Sequence, residues 1–530
     1  MGRSAQASSP VRPDQKAVRL EQRGRLWQRE WLIGHLDTRA IDAESFLWFA
    51  PSLLALLRRD YNEWQGLPCG NSEQSADMLS VATSLWQAFD AAGAQNQPDA
   101  QPVRADVLRL ADCLLQRQNP DGGWGWWTGD VSRPLQTAQA VESLLEAASA
   151  GLIEFPAANQ ARGLEALRRY LTSVEEDSDL RVYLLSVLSR SPSGKDLPAR
   201  VLWSRHEQLS TPSLVHLGMA LENIHDLSAE DKQTLISELK GRAAQTASFV
   251  WWPSAESKGM LPEGDRYATA LALQAFLRWA PGDAMVGKTV DWLLRTTPAE
   301  DGRISLSVAR VLVALLRSTH LQEQPTEGIV RVAQEGVPIL EERVDESNPL
   351  GVHEVSLKDL RAGPNWVEIL LEGSGPLYFG WSIRYALSDD DPGPARSVDG
   401  IAMQRRYLSP DTGQPSNRYD VGQFIQVSLE VTTARKLDYV VVEDFVPPGC
   451  GPIVGSVAAK ELAHSDLEIS PQGDRVSFLL PVVPEGKHVF TYLLRANTPG
   501  SSYVWPASTY PIYRPAIWGQ SASSQLSIQR

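Results

Sequence analysis

Cysteine and histidine are scarce in this chain, whose 530 residues include 3 Cys and 8 His. Cys69, Cys113 and Cys450 are too few and too scattered for a disulfide framework or a Cys-rich metal site. The expectation is two buried thiols and one loop thiol, because free Cys behaves as a small hydrophobe. The histidines form no His-x-x-x-His or His-Glu-x-x-His pair, so neither a metal nor another cofactor is indicated. No apolar run is long enough to span a bilayer. The start, Met1–Gln6, leads into a polar stretch with no signal-peptide core, and Gln6 stands where a myristoylation motif wants Ser or Thr. Taken literally, these features describe a cytoplasmic chain. A net charge of −14, with no basic patch interleaved with aromatics, argues against general affinity for nucleic acid or anionic membranes.

Hydrophobic residues make up 43% and charged residues 22%, ordinary values for a globular chain. The length implies roughly two to four domains. Tryptophan, at 17 residues, is the unusual abundance, and much of it is clustered. From about Glu44 to His320 the pattern is helical. Val107, Leu110, Ala111 and Leu114 share one face, and Val308, Val311, Leu312 and Leu315 repeat the spacing. About a dozen helices joined by short turns must bury their stripes as an open solenoid or a closed ring. The turn Gln118–Trp127, with its Asn-Pro and Asp-Gly-Gly, favours the ring, and Phe249–Pro253 is a second aromatic turn of the same kind. After about Gln322 the period becomes two, as in Ile425, Val427, Leu429 and Val431, which implies β-sandwich structure. Ser388–Pro394 reads as a linker between two β modules.

Leu67-Pro68-Cys69-Gly70-Asn71-Ser72-Glu73-Gln74 looks like a reactive-thioester motif that has lost its chemistry. Such a site needs a Cys three residues before a Gln, so that the side-chain carbonyl acylates the thiol across one tight turn. Here Asn71 occupies the Cys position beside an intact Glu73-Gln74 pair, and Cys69 would need a larger ring to reach Gln74. Two readings of Asn71–Gln74 stand side by side: a residual ligand or interaction site, and helix capping, with Asn71 at the N-cap and Gln74 at the third helical position. The aromatic clusters Trp124, Trp126, Trp127, Trp251 and Trp252 likewise read either as a sugar- or peptide-binding face or as packing over helix ends. Acidic runs such as Glu175–Asp177 suit a solvated loop.

The order of these features resembles the C-terminal half of the α2-macroglobulin family, especially its bacterial members. Ala50–Leu54 followed by Cys69–Gln74 resembles the entry to the family's thioester domain, an α/α toroid. Gln118–Trp127 resembles its Gly-Trp-Gly-Trp hairpin. Gly363–Val367 and Gly373–Tyr378 are similar to the β-domain that follows, and Arg405–Tyr407, Val442–Cys450 and Thr491–Gly500 to the terminal domain. The resemblance implies a multidomain α + β chain: a polar N-terminal segment over 1–43, an α/α toroid over 44–321, a CUB-like β-domain over 322–394, and a macroglobulin or receptor-binding-like sandwich over 395–530. It further implies a non-enzymatic role in endopeptidase inhibition, a site in the periplasm or cell envelope, and proteases or a separate macroglobulin-domain protein as partners. Two departures set this chain apart. Fewer than 50 residues precede the toroid, leaving no upstream macroglobulin domains or bait segment. No His lies between His35 and His206, where members that react covalently commonly carry one near the thioester.

Two alternatives of other classes remain open. A toroid enzyme of the terpene-cyclase or prenyltransferase type would need a deep apolar cavity with a buried acid or a zinc site. Asp389–Asp391 is the nearest match to the cyclase acid, and Cys113 the nearest to a zinc ligand. A general protein-interaction module would need neither.

Overall fold

The computed structural model describes residues 15–38, 40–62, 64–66, 69–174, 179–191, 194, 197–254, 264–296, 306–319, 326–345, 348–388, 395–453, 458–459, 466–469, 475–511 and 517–530. Residues 67–68, 175–177 and 389–394, which carried expectations above, lie outside them, as do residues 1–14.

Three antiparallel strands open the described chain: β1 (Gln15–Leu26), β2 (Arg29–Leu36) and β3 (Ala40–Ala50). Their partners come from the far side of the helical region. These are β6 (Glu327–Gln334), β7 (Val337–Val344), β8 (His353–Leu357), β9 (Gly363–Ser374) and β10 (Leu377–Ser388); two short strands, β4 (Ala244–Gln245) and β5 (Val250–Trp251), lie among the helices. β1 runs antiparallel along all of β10, from Gln15 opposite Ser388 to Leu26 opposite Leu377. One sheet is ordered β1-β10-β3-β8 and the other β2-β9-β6-β7. Their inner faces share a core that includes Leu26, Leu32, Phe49, Val332, Ile369, Phe379 and Trp381.

The stretch expected as a polar N-terminal segment over 1–43 is therefore strand from Gln15 onward, and β3 extends beyond the expected toroid start at residue 44. The misreading has a physical cause. Arg23 and Arg25 interrupt the apolar alternation of β1, but both are satisfied by the helices: Arg23 meets Asp60 at 3.1 Å and Arg25 meets Asp291 at 2.7 Å. A charge buried with its partner is tolerated in a strand that a one-dimensional pattern scores as polar. Gly380 on β10 adds to the same junction. A Cβ there would fall 2.3 Å from the Trp48 ring, so glycine lets that buried indole lie against the sheet.

Twelve helices are described between β3 and β6: α1 (Leu53–Asn62), α2 (Ser72–Ala91), α3 (Ala100–Gln116), α4 (Pro134–Ser149), α5 (Ala157–Ser173), α6 (Asp179–Leu188), α7 (Ala199–Trp203), α8 (Thr211–Asn223), α9 (Ala229–Arg242), α10 (Asp265–Trp279), α11 (Met285–Thr296) and α12 (Leu306–Ser318). The even-numbered helices from α2 to α12 pack each on the next, and α12 returns to α2, which closes the ring. These inner helices are buried around most of their circumference, and Ala and Ser at positions such as Ala138, Ala140 and Ser143 let them approach closely. Outer helices bury one stripe only: in α9 the buried residues are Leu235 and Leu239. The arrangement is the expected α/α toroid.

The terminal β module pairs 401–408 with 424–433 and 424–433 with 486–496 in one sheet, and 437–445 with 475–483 and 508–511 in another. Ile425, Val427, Leu429 and Val431, the alternating set, all point into its core. Arg405 is buried there with its Nη1 2.6 Å from Asp444, and the Tyr492 hydroxyl donates to the same carboxylate at 2.8 Å.

Candidate functional site at the start of the second helix

α2 begins with an extended residue, Asn71, whose side-chain Oδ1 accepts from the Gln74 amide at 2.8 Å. The Asn71 side chain thus satisfies one of the orphan donors at the helix start. The Gln74 carboxamide folds back over the preceding turn, where a Cβ on Gly70 would fall 1.9 Å from its Oε1. Glu73 points the other way, into the protein, where its Oε2 accepts from Trp126 Nε1 and Gln136 Nε2, each at 3.0 Å. The Ser72 amide donates to the Trp126 carbonyl at 2.7 Å. The Gly-Trp-Gly-Trp turn and the start of α2 at Asn71–Gln74 are therefore one structure.

Cys69 corrects the expectation of two buried thiols, because it is disulfide-bonded to Cys113 of α3, 44 residues on, with 6.5 Å between Cα atoms. The pairing was missed because only the α2–α3 hairpin brings the two together. A signal for it does exist in α3: Arg109, Cys113 and Arg117 recur every four residues, on a face distinct from the Val107–Leu114 stripe. Arg117 donates to the Cys69 carbonyl at 3.0 Å and to Ser75 Oγ at 3.1 Å. Arg109 spends two nitrogens on Asp106, at 3.2 and 2.6 Å, and places Nη1 3.5 Å from Cys69 Sγ. Asp106 also accepts from the Tyr61 hydroxyl at 2.9 Å and from the Gly66 amide at 3.2 Å, tethering the loop.

Of the five clustered tryptophans, Trp124, Trp126 and Trp252 are 0% exposed and so unreachable by a ligand. Trp127 and Trp251 are half-buried, and Trp251 stacks in parallel on Trp292 with ring centres 6.1 Å apart.

Below the turn, each inner helix contributes to a buried polar cluster in the ring that includes Asp77, Glu142, Tyr183, His216, Tyr267 and Arg310. Arg310 pairs with Glu142, Tyr183 donates to Glu142 at 2.6 Å, and Arg190 reaches Glu142 at 2.9 Å. Burial alone would push the Glu142 carboxyl up, but Arg310 and Arg190 outweigh it and hold the group well below the usual range. Burial, then the neighbouring Glu73, drives Asp77 well above the usual range. Burial also lowers His216 to about 3, so the imidazole is neutral. At the far mouth, where the inner helices end, a cavity of about 840 Å³ is lined in part by Glu146, Arg190, Gln274 and Arg317. Among the described residues no group of His, Cys, Asp or Glu is arranged to hold a metal.

A ring of helices set into a sandwich built from both of its flanks, followed by a second sandwich, is the arrangement seen in the C-terminal region of bacterial α2-macroglobulins. The chain is α2-macroglobulin-like and corresponds to the C-terminal part of bacterial α2-macroglobulins, the match falling on residues 400–516 for the bacterial α2-macroglobulin MG10 domain. An α2-macroglobulin homolog of Nostoc is 24% identical over 493 residues, covering 86% of this chain and 25% of the relative. The α2-macroglobulin of Xylella fastidiosa is 27% identical over 513 residues, covering 85% and 28%. The chain thus spans about a quarter of the length of the curated relatives it matches. The native Escherichia coli α2-macroglobulin, in a structure running from domain MG7 to the C-terminus, shares the fold with a TM-score of 0.70 at 19% identity, covering 98% of this chain and 83% of that one.

Proposed function

We propose that this chain is a non-enzymatic, α2-macroglobulin-like protein that acts in endopeptidase inhibition at the cell envelope without thioester chemistry. The observation that carries the reading is the fate of the groups a thioester needs. Position 71, three before Gln74, holds a carboxamide engaged as a helix cap, and the Cys69 sulfur is bonded to Cys113. Neither offers Gln74 a thiol. Cys450 lies in the terminal sandwich, where burial pushes its thiol up to about 12, far from the thiolate form that reacts.

Contact with a target at this site is accordingly non-covalent with respect to Gln74. Its partners are proteases or a separate macroglobulin-domain protein. The resemblance supports the periplasm or cell envelope, and the Cys69–Cys113 bond agrees, since disulfides persist in oxidising compartments. No described helix is long and apolar enough to cross a membrane. A toroid enzyme would need an apolar reaction chamber along the axis, where this chain carries the Glu142–Arg310–Tyr183 network.

Intact-mass measurement tests the chemistry. A Gln74 thioester lowers the mass by one ammonia, and methylamine restores it with its own added mass; the expected outcome is neither change. Pull-down from native lysate tests the role. Recovery of an endopeptidase or a macroglobulin-domain protein is expected, and recovery of unrelated partners only would replace the reading with a general interaction module.

A further inference from the structure

We propose that the Cys69–Cys113 disulfide is a thiol-exchange site at which this chain captures thiol-bearing peptides or proteins through a mixed disulfide on Cys113. The inference is independent of whether the partner is a protease. It starts from an asymmetry between the two sulfurs. Cys69 Sγ has the Arg109 guanidinium beside it, with Nη1 at 3.5 Å while the other nitrogens of that group are held by Asp106. Arg117 fixes the Cys69 carbonyl at 3.0 Å. Among the described residues, no guanidinium or ammonium hydrogen-bonds Cys113 Sγ as Arg109 does Cys69 Sγ. Both cysteines are half-buried, not sealed in a core, Cys69 at the turn that opens α2 and Cys113 on α3.

Exchange proceeds by attack of a thiolate on one sulfur with departure of the other, and it runs faster when the leaving thiol has the lower pKa. A guanidinium next to a sulfur stabilises the thiolate, so Cys69 is the leaving group and Cys113 the sulfur attacked. The balance closes without an oxidant. The incoming thiol gives its proton to solvent, its sulfur bonds to Cys113 Sγ, and the electron pair of the S–S bond departs on Cys69 Sγ as a thiolate paired with Arg109. The freed Cys69 stays near, because Arg117 holds its carbonyl and Asp106 holds the loop at Gly66. Its return attack on Cys113 expels the captured thiol, which makes the capture reversible.

The test uses the full chain carrying Cys450→Ser, which removes the free cysteine, and a neutral peptide with blocked ends and one Cys. After incubation at neutral pH the reaction is quenched with N-ethylmaleimide and read by intact mass and peptide mapping. One peptide per chain on Cys113, with maleimide on Cys69, is the expected result. No adduct under conditions where the peptide exchanges fully with an unstructured disulfide peptide, or an adduct mainly on Cys69, overturns the proposal. Arg109→Gln should slow exchange by roughly threefold or more while Arg109→Lys keeps most of the rate, given how leaving-group pKa governs these reactions. Equal rates in all three chains overturn the role given to Arg109.

Discussion

The two aromatic turns of the toroid use one lock and differ in what they attach to it. In the first, Trp124 Nε1 donates to the Leu114 carbonyl near the end of α3 at 2.7 Å, and the Trp124 amide donates to the Thr137 hydroxyl at the start of α4 at 3.0 Å. In the second, Trp252 Nε1 donates to the Leu239 carbonyl near the end of α9 at 2.7 Å, and its amide donates to the Thr269 hydroxyl of α10 at 2.9 Å. One indole thus gives a carbonyl near the end of an outer helix a side-chain donor and fixes the angle to the next inner helix. The first turn then continues into Trp126, which holds Glu73 and Ser72 at the start of α2. The second ends in Pro253, with Trp251 stacked on α11. The shared part belongs to the toroid, and the added part belongs to the site.

The largest test of that division removes the lock itself. Trp124→Ala and Trp252→Ala each leave a buried cavity and take a donor from a helix-end carbonyl, and each should cost about 3–5 kcal/mol. Denaturant unfolding followed by far-ultraviolet circular dichroism measures both. Losses within about 1 kcal/mol of each other fit one repeated lock. A large loss at Trp124 with little at Trp252 would show that the second turn is not equivalent.

A smaller change separates site from lock. Trp126→Phe keeps an aromatic side chain, though a smaller one, and deletes the donor to buried Glu73, which should cost at least about 1–3 kcal/mol because a buried acceptor loses a partner. Trp251→Phe, on a half-buried ring that packs without a comparable hydrogen bond to the α2 turn, should stay within about 0.5 kcal/mol. The same unfolding measurement reads both, and the reverse order would place the attachment on the wrong turn.

Legibility in the sequence followed how local each cause is. The α3 and α12 stripes and the 425–431 alternation were plain because one face of each element decides its burial. The aromatic turns were plain because Asn-Pro, Asp-Gly-Gly and Trp mark a turn within ten residues. β1 to β3 were hidden because Arg23 and Arg25 are compensated by Asp60 and Asp291, on helices the pattern does not connect to them. The toroid axis was hidden for a related reason. A polar residue on an inner helix, such as Glu142 or His216, looks like noise until the ring closes and brings these groups together. The capping reading of Asn71 was available from spacing alone, whereas the Cys69–Cys113 bond depended on how α2 and α3 pack.

The smallest prediction asks whether Asn71 does anything beyond capping. Another helix of the same toroid supplies the control. Ser228 caps α9 through a reciprocal box with Asp231, on an exposed surface remote from the α2 turn. If Asn71 serves only the helix, Asn71→Ala and Ser228→Ala should each cost about 1 kcal/mol, and Asn71→Ser only a few tenths, since Ser caps nearly as well. Thermal unfolding of the three variants reads the difference. A loss at Asn71 well above that at Ser228, not restored by Ser, would mean that the carboxamide also holds the turn carrying Cys69 and Gly70. The position would then be a fastener for the disulfide loop, and Asn71→Ala would also expose the Cys69–Cys113 bond to faster reduction by a small thiol.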